Sequence, residues 1–188
     1  MSPSTEQELL KSAKAFDLNA LGVIYDQYST GIYRYALRLL GDECLAEDCV
    51  ADTFSRFLKA LRASQGPETH LQAYLYRIAH NWITDSYRRQ TPASIELDES
   101  FEMDSSKGPD AQLDQKVENH QLRLALRALT PDQRLVISLR FIEEWPNEEV
   151  AAAMQKPVGA VKALQHRAMD TLRRLIITNE KASLYDFE

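Results

Sequence analysis

The 188-residue sequence predicts an all-α protein of two small helical domains joined by a flexible acidic linker. Three observations predict it. Apolar residues recur every three or four positions along most of the chain, and no stretch shows the alternating pattern of a strand. The long break in that pattern, Thr91 to Asp110, holds two prolines, one glycine, four serines and six acids, too little apolar area to order itself. At 44% apolar and 27% charged residues, the chain can still bury a core on either side of the break. The expected divisions are a domain at 1–90, a linker at 91–111, a second domain at 112–178 and a tail at 179–188.

The segment from Met1 to Lys14 is polar and acidic, with no apolar signal core, and no stretch approaches the roughly 18 apolar residues a membrane helix needs. No membrane insertion and a cytoplasmic location are therefore expected. The first helical stripe runs through Leu21, Ile24, Tyr25, Tyr28, Ile32, Tyr33, Ala36, Leu37 and Leu40, and Gly41 stands where a C-terminal cap belongs. A second stripe comes next in Leu45, Cys49, Val50, Thr53, Phe54, Phe57, Leu58 and Leu61. Glu43, Glu47, Asp48 and Asp52 crowd its beginning, where carboxylates complement the helix dipole. Ser64-Gln65-Gly66-Pro67 is loop chemistry. From His70 a third helix carries Leu71, Tyr74, Leu75, Ile78, Ala79, Trp82 and Ile83 and ends near Arg88 and Arg89.

Beyond the linker a helix spans Leu113 to Leu129. Thr130-Pro131-Asp132-Gln133 then opens another, with Thr as N-cap, Pro at the first helical position and Gln completing a capping box. Leu135, Val136, Leu139 and Ile142 form its core face. A short helix from about Asn147 to Met154 meets a turn at Gln155-Lys156-Pro157, and a long helix runs from about Val158 to Ile177. Short helix, tight turn and longer helix are the outline of a helix-turn-helix. On the long helix Val161, Leu164, Ala168, Leu172 and Leu175 fall on one side, while Lys162, Ala163, His166, Arg167, Asp170, Arg173 and Arg174 fall opposite. Such a face suits either solvent or a DNA groove.

Charge is unevenly spread. The net charge of −6 argues against non-specific coating of nucleic acid, which depends on neutralising phosphates. Residues 61–90 carry +2 and 156–177 carry +4, on either side of 91–120 at −6. Enzyme constellations are missing: there is no Gly-rich phosphate loop, no Glu-x-x-His pair and no serine nucleophile elbow. Cys44, Cys49 and the four histidines lack zinc-ligand spacing, and both cysteines sit at apolar helix positions where burial is expected. Five apart on one helix, they diverge too far for a disulfide. No catalytic residue, metal, cofactor or small-molecule substrate is expected.

Several fragments, in order, resemble bacterial RNA polymerase sigma factors of the small extracytoplasmic-function (ECF) type within the sigma-70 family. They are Ile32-Tyr33-Arg34-Tyr35-Ala36, Ala46-Glu47-Asp48 with Thr53-Phe54, and Tyr74-Leu75-Tyr76-Arg77-Ile78-Ala79-His80-Asn81 continuing to Asp85, Arg88 and Arg89. In the second domain they are Leu129-Thr130-Pro131, Glu149-Val150-Ala151, Val158-Gly159-Ala160-Val161-Lys162 and His166-Arg167-Ala168. Gln155 departs from the usual turn glycine and Pro146 from the usual capping serine; the first requires a positive φ at a non-glycine residue, at a cost of about 1 kcal/mol.

The resemblance implies a transcription initiation factor built from a region 2-like bundle and a region 4-like helix-turn-helix, acting on core RNA polymerase and promoter DNA, with an anti-sigma factor as a further partner. It assigns polymerase binding to Glu43, Glu47, Asp48, Asp52 and Phe54. Capture of the single-stranded minus-10 element would fall to the loop from Arg62 to His70 and to Arg77, Asn81, Trp82, Arg88 and Arg89, with Asn81 the base-edge reader and most rings expected in the core. Recognition of the minus-35 duplex would fall to Lys162, Ala163, His166, Arg167 and Arg173. The linker would thread the polymerase channel through which RNA leaves, its acids standing in for phosphates. The alternative is a stand-alone helix-turn-helix regulator with an all-helical N-terminal domain.

Overall fold

A computed structural model describes residues 3–90 and 121–185, with side chains from 6 to 89 and from 121 to 175. Every regular element among them is helical. The expected linker at 91–111 and the start of the expected 112–178 domain lie outside the described residues.

Four helices make the N-terminal unit: α1 (Pro3–Lys14), α2 (Leu18–Leu40), α3 (Glu43–Arg62) and α4 (Leu71–Gln90). Their ends are set by local chemistry. Asp17 caps α2 by accepting from the Asn19 amide at 2.9 Å, and Gly41 closes it in the left-handed region (φ 74°), its amide donating to Leu37 O at 2.8 Å. Asp42 then caps α3 by accepting from the Leu45 amide at 2.8 Å. The cap of α4 is supplied from far away, since Glu6 of α1 accepts from the Leu71 amide at 2.8 Å. Ile24, Ile32 and Leu39 of α2, Cys49 and Phe57 of α3, and Leu71, Leu75 and Ile83 of α4 are buried in one core. Helix α1 was not expected from the sequence; it adds Leu10 and Ala13 to that core.

The C-terminal unit begins with α5 at 121–127 and continues through α6 (Pro131–Ile137), α7 (Asn147–Met154) and α8 (Val158–Tyr185). Thr130 and Gln133 form the expected capping box at 3.4 and 3.1 Å. Arg134, almost fully buried, donates to the carbonyls of Leu126, Arg127 and Leu129, closing the end of α5 together with the Leu129 amide, which donates to Leu126 O at 3.2 Å. Two expectations are corrected here. The helix after Thr130 passes into a π-helical turn over Ser138–Ile142, whose extra residue rotates the downstream backbone and leaves Ile142 only half-buried. The last helix runs to Tyr185, beyond the expected end near 177, so the expected tail at 179–188 is helical through most of its length.

Candidate nucleic-acid interface

The helix-turn-helix forms from α7, its turn and α8. Gln155 takes the left-handed conformation (φ 53°, ψ 42°) expected of a turn without glycine. The amides of Gln155 and Lys156 donate back to Ala152 O and Ala151 O, which closes α7 in a Schellman arrangement. Pro146 precedes α7 without a side-chain cap. Lys156 is paired with Asp132 at 3.3 Å, tying the turn to the start of α6. Val150, Ala153, Met154, Val161 and Ala168 are buried among the helices of this unit. That packing leaves the other side of α8 in solvent.

Lys162, Ala163, His166 and Arg167 are all exposed there, in two adjacent rows one turn apart. His166 Nδ1 lies 3.0 Å from Asp170, and Arg173 donates to the other oxygen of that carboxylate at 3.2 Å. Asp170 thus draws His166 and Arg173 back onto the helix. Arg167 donates through Nε to Ala163 O at 3.3 Å, leaving its remaining guanidinium donors pointing outward from an exposed side chain.

On α4 the outward stripe is Arg77, Asn81 and Arg88, with spacings that keep them on one side of the helix. Asn81 and Arg88 are exposed, Arg88 being paired with Asp85. Arg77 is half-buried, its guanidinium 5.3 Å from the Tyr74 ring. Residues 65–70 pass beside it, and together with Tyr74, Arg77, Ala152 and Gln155 they line a cleft. Ser64 and His70, both with positive φ, bracket that loop. Trp82 does not face outward as a base contact would; three residues after Ala79 and seven after Leu75 it falls on the inner stripe, 9% exposed, with the exposed Arg89 laid over its ring at 5.8 Å.

The acidic cluster divides in the same way. Glu43, Glu47 and Asp48 are exposed, and Asp52 is half-buried against Arg56 at 2.5 Å. Loss of solvent and then the carboxylates of Glu43 and Glu47 raise the Tyr33 phenol from its ordinary value. Phe54, expected beside these acids as a contact, packs inward at 8% exposure with its ring 4.8 Å from that of Tyr25, because it continues the Val50, Phe57 and Leu61 stripe. The cysteines separate as well. Cys49 is buried, which pushes its thiol up to about 12, whereas Cys44, expected to be buried, is exposed in the first turn of α3.

Sequence reasoning attached no role to His80, which is buried with both ring nitrogens engaged. Pro131 O lies 3.0 Å from Nε2 and can only accept, so Nε2 carries the proton and Nδ1 accepts from the Tyr35 hydroxyl at 2.8 Å. Burial lowers its pKa to about 4; the Pro131 carbonyl, the next largest influence, pulls it upward, and Arg134 (lowering) and Asp132 (raising) contribute less.

The Sigma-70 region 2 family matches residues 24–92 and the Sigma-70 region 4 family residues 125–174. Among curated relatives, the ECF RNA polymerase sigma factor BldN of Streptomyces coelicolor is 34% identical over 173 residues, an alignment that takes in 90% of this chain and 65% of BldN. The chain therefore spans slightly less than two thirds of that relative. The ECF RNA polymerase sigma factor SigX of Bacillus subtilis is 28% identical over 158 residues, 81% of each chain. In fold, the chain is similar to CnrH, solved in complex with the cytosolic domain of CnrY (TM-score 0.66, 24% identity, 92% of this chain and 97% of that one). It is also similar to the sigma factor RpoE from Bartonella quintana, solved with the anti-sigma factor NepR (TM-score 0.53, 22% identity, 87% and 97%).

Proposed function

Because the chain belongs to the sigma-70 family of RNA polymerase sigma factors, we propose that it joins core RNA polymerase and directs it to specific promoters. The observation that carries the reading is the pairing of a solvent-facing α8, holding Lys162, Ala163, His166 and Arg167 on a closed helix-turn-helix, with an outward α4 stripe of Arg77, Asn81 and Arg88 beside loop 65–70. Two basic surfaces on separate helical units suit a protein that reads two DNA elements.

In this reading α8 enters the major groove at the minus-35 element. Lys162 and Arg167 donate to base edges, the Ala163 methyl suits a thymine methyl, and Arg173 sits further along where phosphates run. Asn81 offers a paired donor and acceptor to an unstacked minus-10 base, with Arg77, Arg88 and Arg89 along the strand. Trp82 supports this surface from beneath. Glu43, Glu47 and Asp48 present an acidic face to polymerase, with Asp52 at its edge and Phe54 holding the helix from inside. An anti-sigma factor is the further partner that family membership suggests, and the chain would act in the cytoplasm, where polymerase is. Among the described residues no helix is long and apolar enough to cross a membrane.

The test is a pull-down with purified core polymerase. The intact chain is expected to be retained, and a Glu43→Lys, Glu47→Lys, Asp48→Lys variant to be lost while its helix content stays unchanged. Equal retention of both proteins contradicts the assignment of this face, and no retention of either contradicts the function.

A further inference from the structure

The segment that joins α3 to α4 is tied to the first helix at both of its ends. At the α3 end the Arg62 guanidinium lies 5.6 Å from the centre of the Phe16 ring, which follows the last turn of α1. At the α4 end the Leu71 amide donates at 2.8 Å to the carboxylate of Glu6, in the first turn of α1. Between these ties Gly66 presses on Leu61, where a Cβ would come within 2.6 Å of the leucine side chain, and Pro67 is buried. Glu68, Thr69 and His70 are left exposed, lining one cleft with Tyr74 and Arg77.

Glu6 supplies what the sequence around α4 lacks. A helix usually satisfies its first amides with the side chain of an N-cap residue that stands in extended backbone. In α4 that position is His70, whose carbonyl accepts from the Tyr74 amide at 3.0 Å but whose φ of 56° is left-handed. The first turn of α4 holds no acid of its own, so the carboxylate facing its positive end comes from α1. Leu10 and Ala13 fix α1 in the core, and the wholly buried Leu71 side chain fixes the start of α4. The Arg62 contact is made by an exposed side chain and is the weaker tie.

We propose that Glu6 is a positioning residue for minus-10 selection. Helix α1 splints the loop, so that Glu68, Thr69 and His70 meet an unstacked base in one conformation beside Tyr74 and Arg77. A loop ordered beforehand does not have to be ordered by the strand it captures. The proposal rests on the assignment of loop 65–70 and α4 to the minus-10 element. Retention on core polymerase, assigned to Glu43, Glu47 and Asp48, and minus-35 selection, assigned to α8, use other surfaces and are expected to be unchanged.

The test compares Glu6→Ala with Glu6→Gln in the full chain, because the glutamine amide oxygen can still accept from Leu71. Amide exchange at Leu71, followed by nuclear magnetic resonance, is expected to quicken about tenfold in Glu6→Ala and to stay within about twofold of the parent in Glu6→Gln. Promoter opening with core polymerase is then measured on matched and substituted minus-10 sequences. Glu6→Ala is expected to lose about fivefold on the matched sequence and less on substituted ones, and Glu6→Gln to restore the selectivity. An equal loss on all sequences, or a Glu6→Gln chain as impaired as Glu6→Ala, overturns the proposal. Asn81→Ala is the control for the underlying assignment. If Asn81→Ala loses opening while Glu6→Ala keeps it, the splint falls and the minus-10 assignment stands; if neither variant alters opening, both fall.

Discussion

Helices α4 and α8 are both assigned to DNA, yet they are held in opposite ways. Helix α4 packs against α2 and α3 on one side and α7 on another, so Leu71, Leu75, Ala79 and Ile83 are wholly buried and one stripe is left for a ligand. Helix α8 is held by one stripe, Val161, Leu164, Ala168 and Leu172, and Lys162, Ala163, His166 and Arg167 opposite it are exposed. A helix that enters a duplex groove has to stand clear of its own domain on three sides. A surface that captures separated bases gains from being backed by rigid rings, because the strand comes to it. The same four letters of DNA are thus approached by two different mechanical solutions.

Adjacent positions of α4 put this contrast under the greatest strain. Trp82→Ala removes a packed ring and is expected to destabilise the N-terminal unit by about 3–5 kcal/mol. Asn81→Ala is expected to leave stability within ~0.5 kcal/mol while weakening opening at minus-10 sequences. Urea unfolding monitored by helical ellipticity, beside promoter opening, separates the two. A stable Trp82→Ala chain that failed only in opening would return Trp82 to the DNA surface.

On α8 the expected losses are smaller but depend on sequence. Arg167→Ala and Lys162→Ala should each cost about 1–3 kcal/mol at the matched minus-35 element and little elsewhere. Arg173→Ala should weaken all sequences alike. Competition between matched and scrambled minus-35 duplexes in the polymerase-bound state measures the difference. An Arg167→Ala variant with unaltered promoter choice would place α8 outside the groove.

How much of the fold and the site was legible in the sequence depends on the range of the interaction. Gly41, the Thr130 and Gln133 box and the strained Gln155 turn were readable because a cap or turn is fixed by residues within a few positions of it. The apolar stripes were readable for the same reason, and they already contained Phe54 and Trp82, which pack inward. Helix α1 escaped notice because it carries few apolar residues and is tied in by lending Glu6 to the Leu71 amide, 65 positions away. The π turn leaves no periodic trace, and the Glu143 to Arg38 pair spans 105 positions. His80 lay inside a fragment that carried the family resemblance, yet its engagement on both nitrogens depends on Tyr35 and Pro131 arriving from opposite directions.

That histidine makes the junction of the two units sensitive to acid. Its imidazole titrates near 6.5 in an unfolded chain and at about 4 here. Between those values the unfolded chain binds more protons. The contribution of neutral His80 is therefore complete above about pH 6.5 and is lost as pH falls toward 4, by at most ~1.4 kcal/mol per pH unit. Stability measured between pH 4.5 and 7 should fall with acid in the parent chain, and His80→Gln should flatten the part of the profile due to this group. An unchanged slope would show that His80 is not the group responsible.

The smallest expected effect is at the turn. Gln155→Gly relieves a left-handed residue and should stabilise the C-terminal unit by up to about 1 kcal/mol without changing DNA selectivity. Thermal unfolding and minus-35 competition check the two halves of that statement.

Two DNA surfaces on one chain should become a single promoter reader only on core polymerase. A mobility shift on selected promoter DNA at near-physiological salt, with and without core polymerase, decides whether they do. Little binding by the isolated chain and tight, sequence-specific binding once core polymerase is present is the predicted result, because polymerase holds the two weak contacts at the right separation and links them. Tight, sequence-specific binding by the isolated chain, unaffected by core polymerase, would contradict it and identify a stand-alone helix-turn-helix regulator.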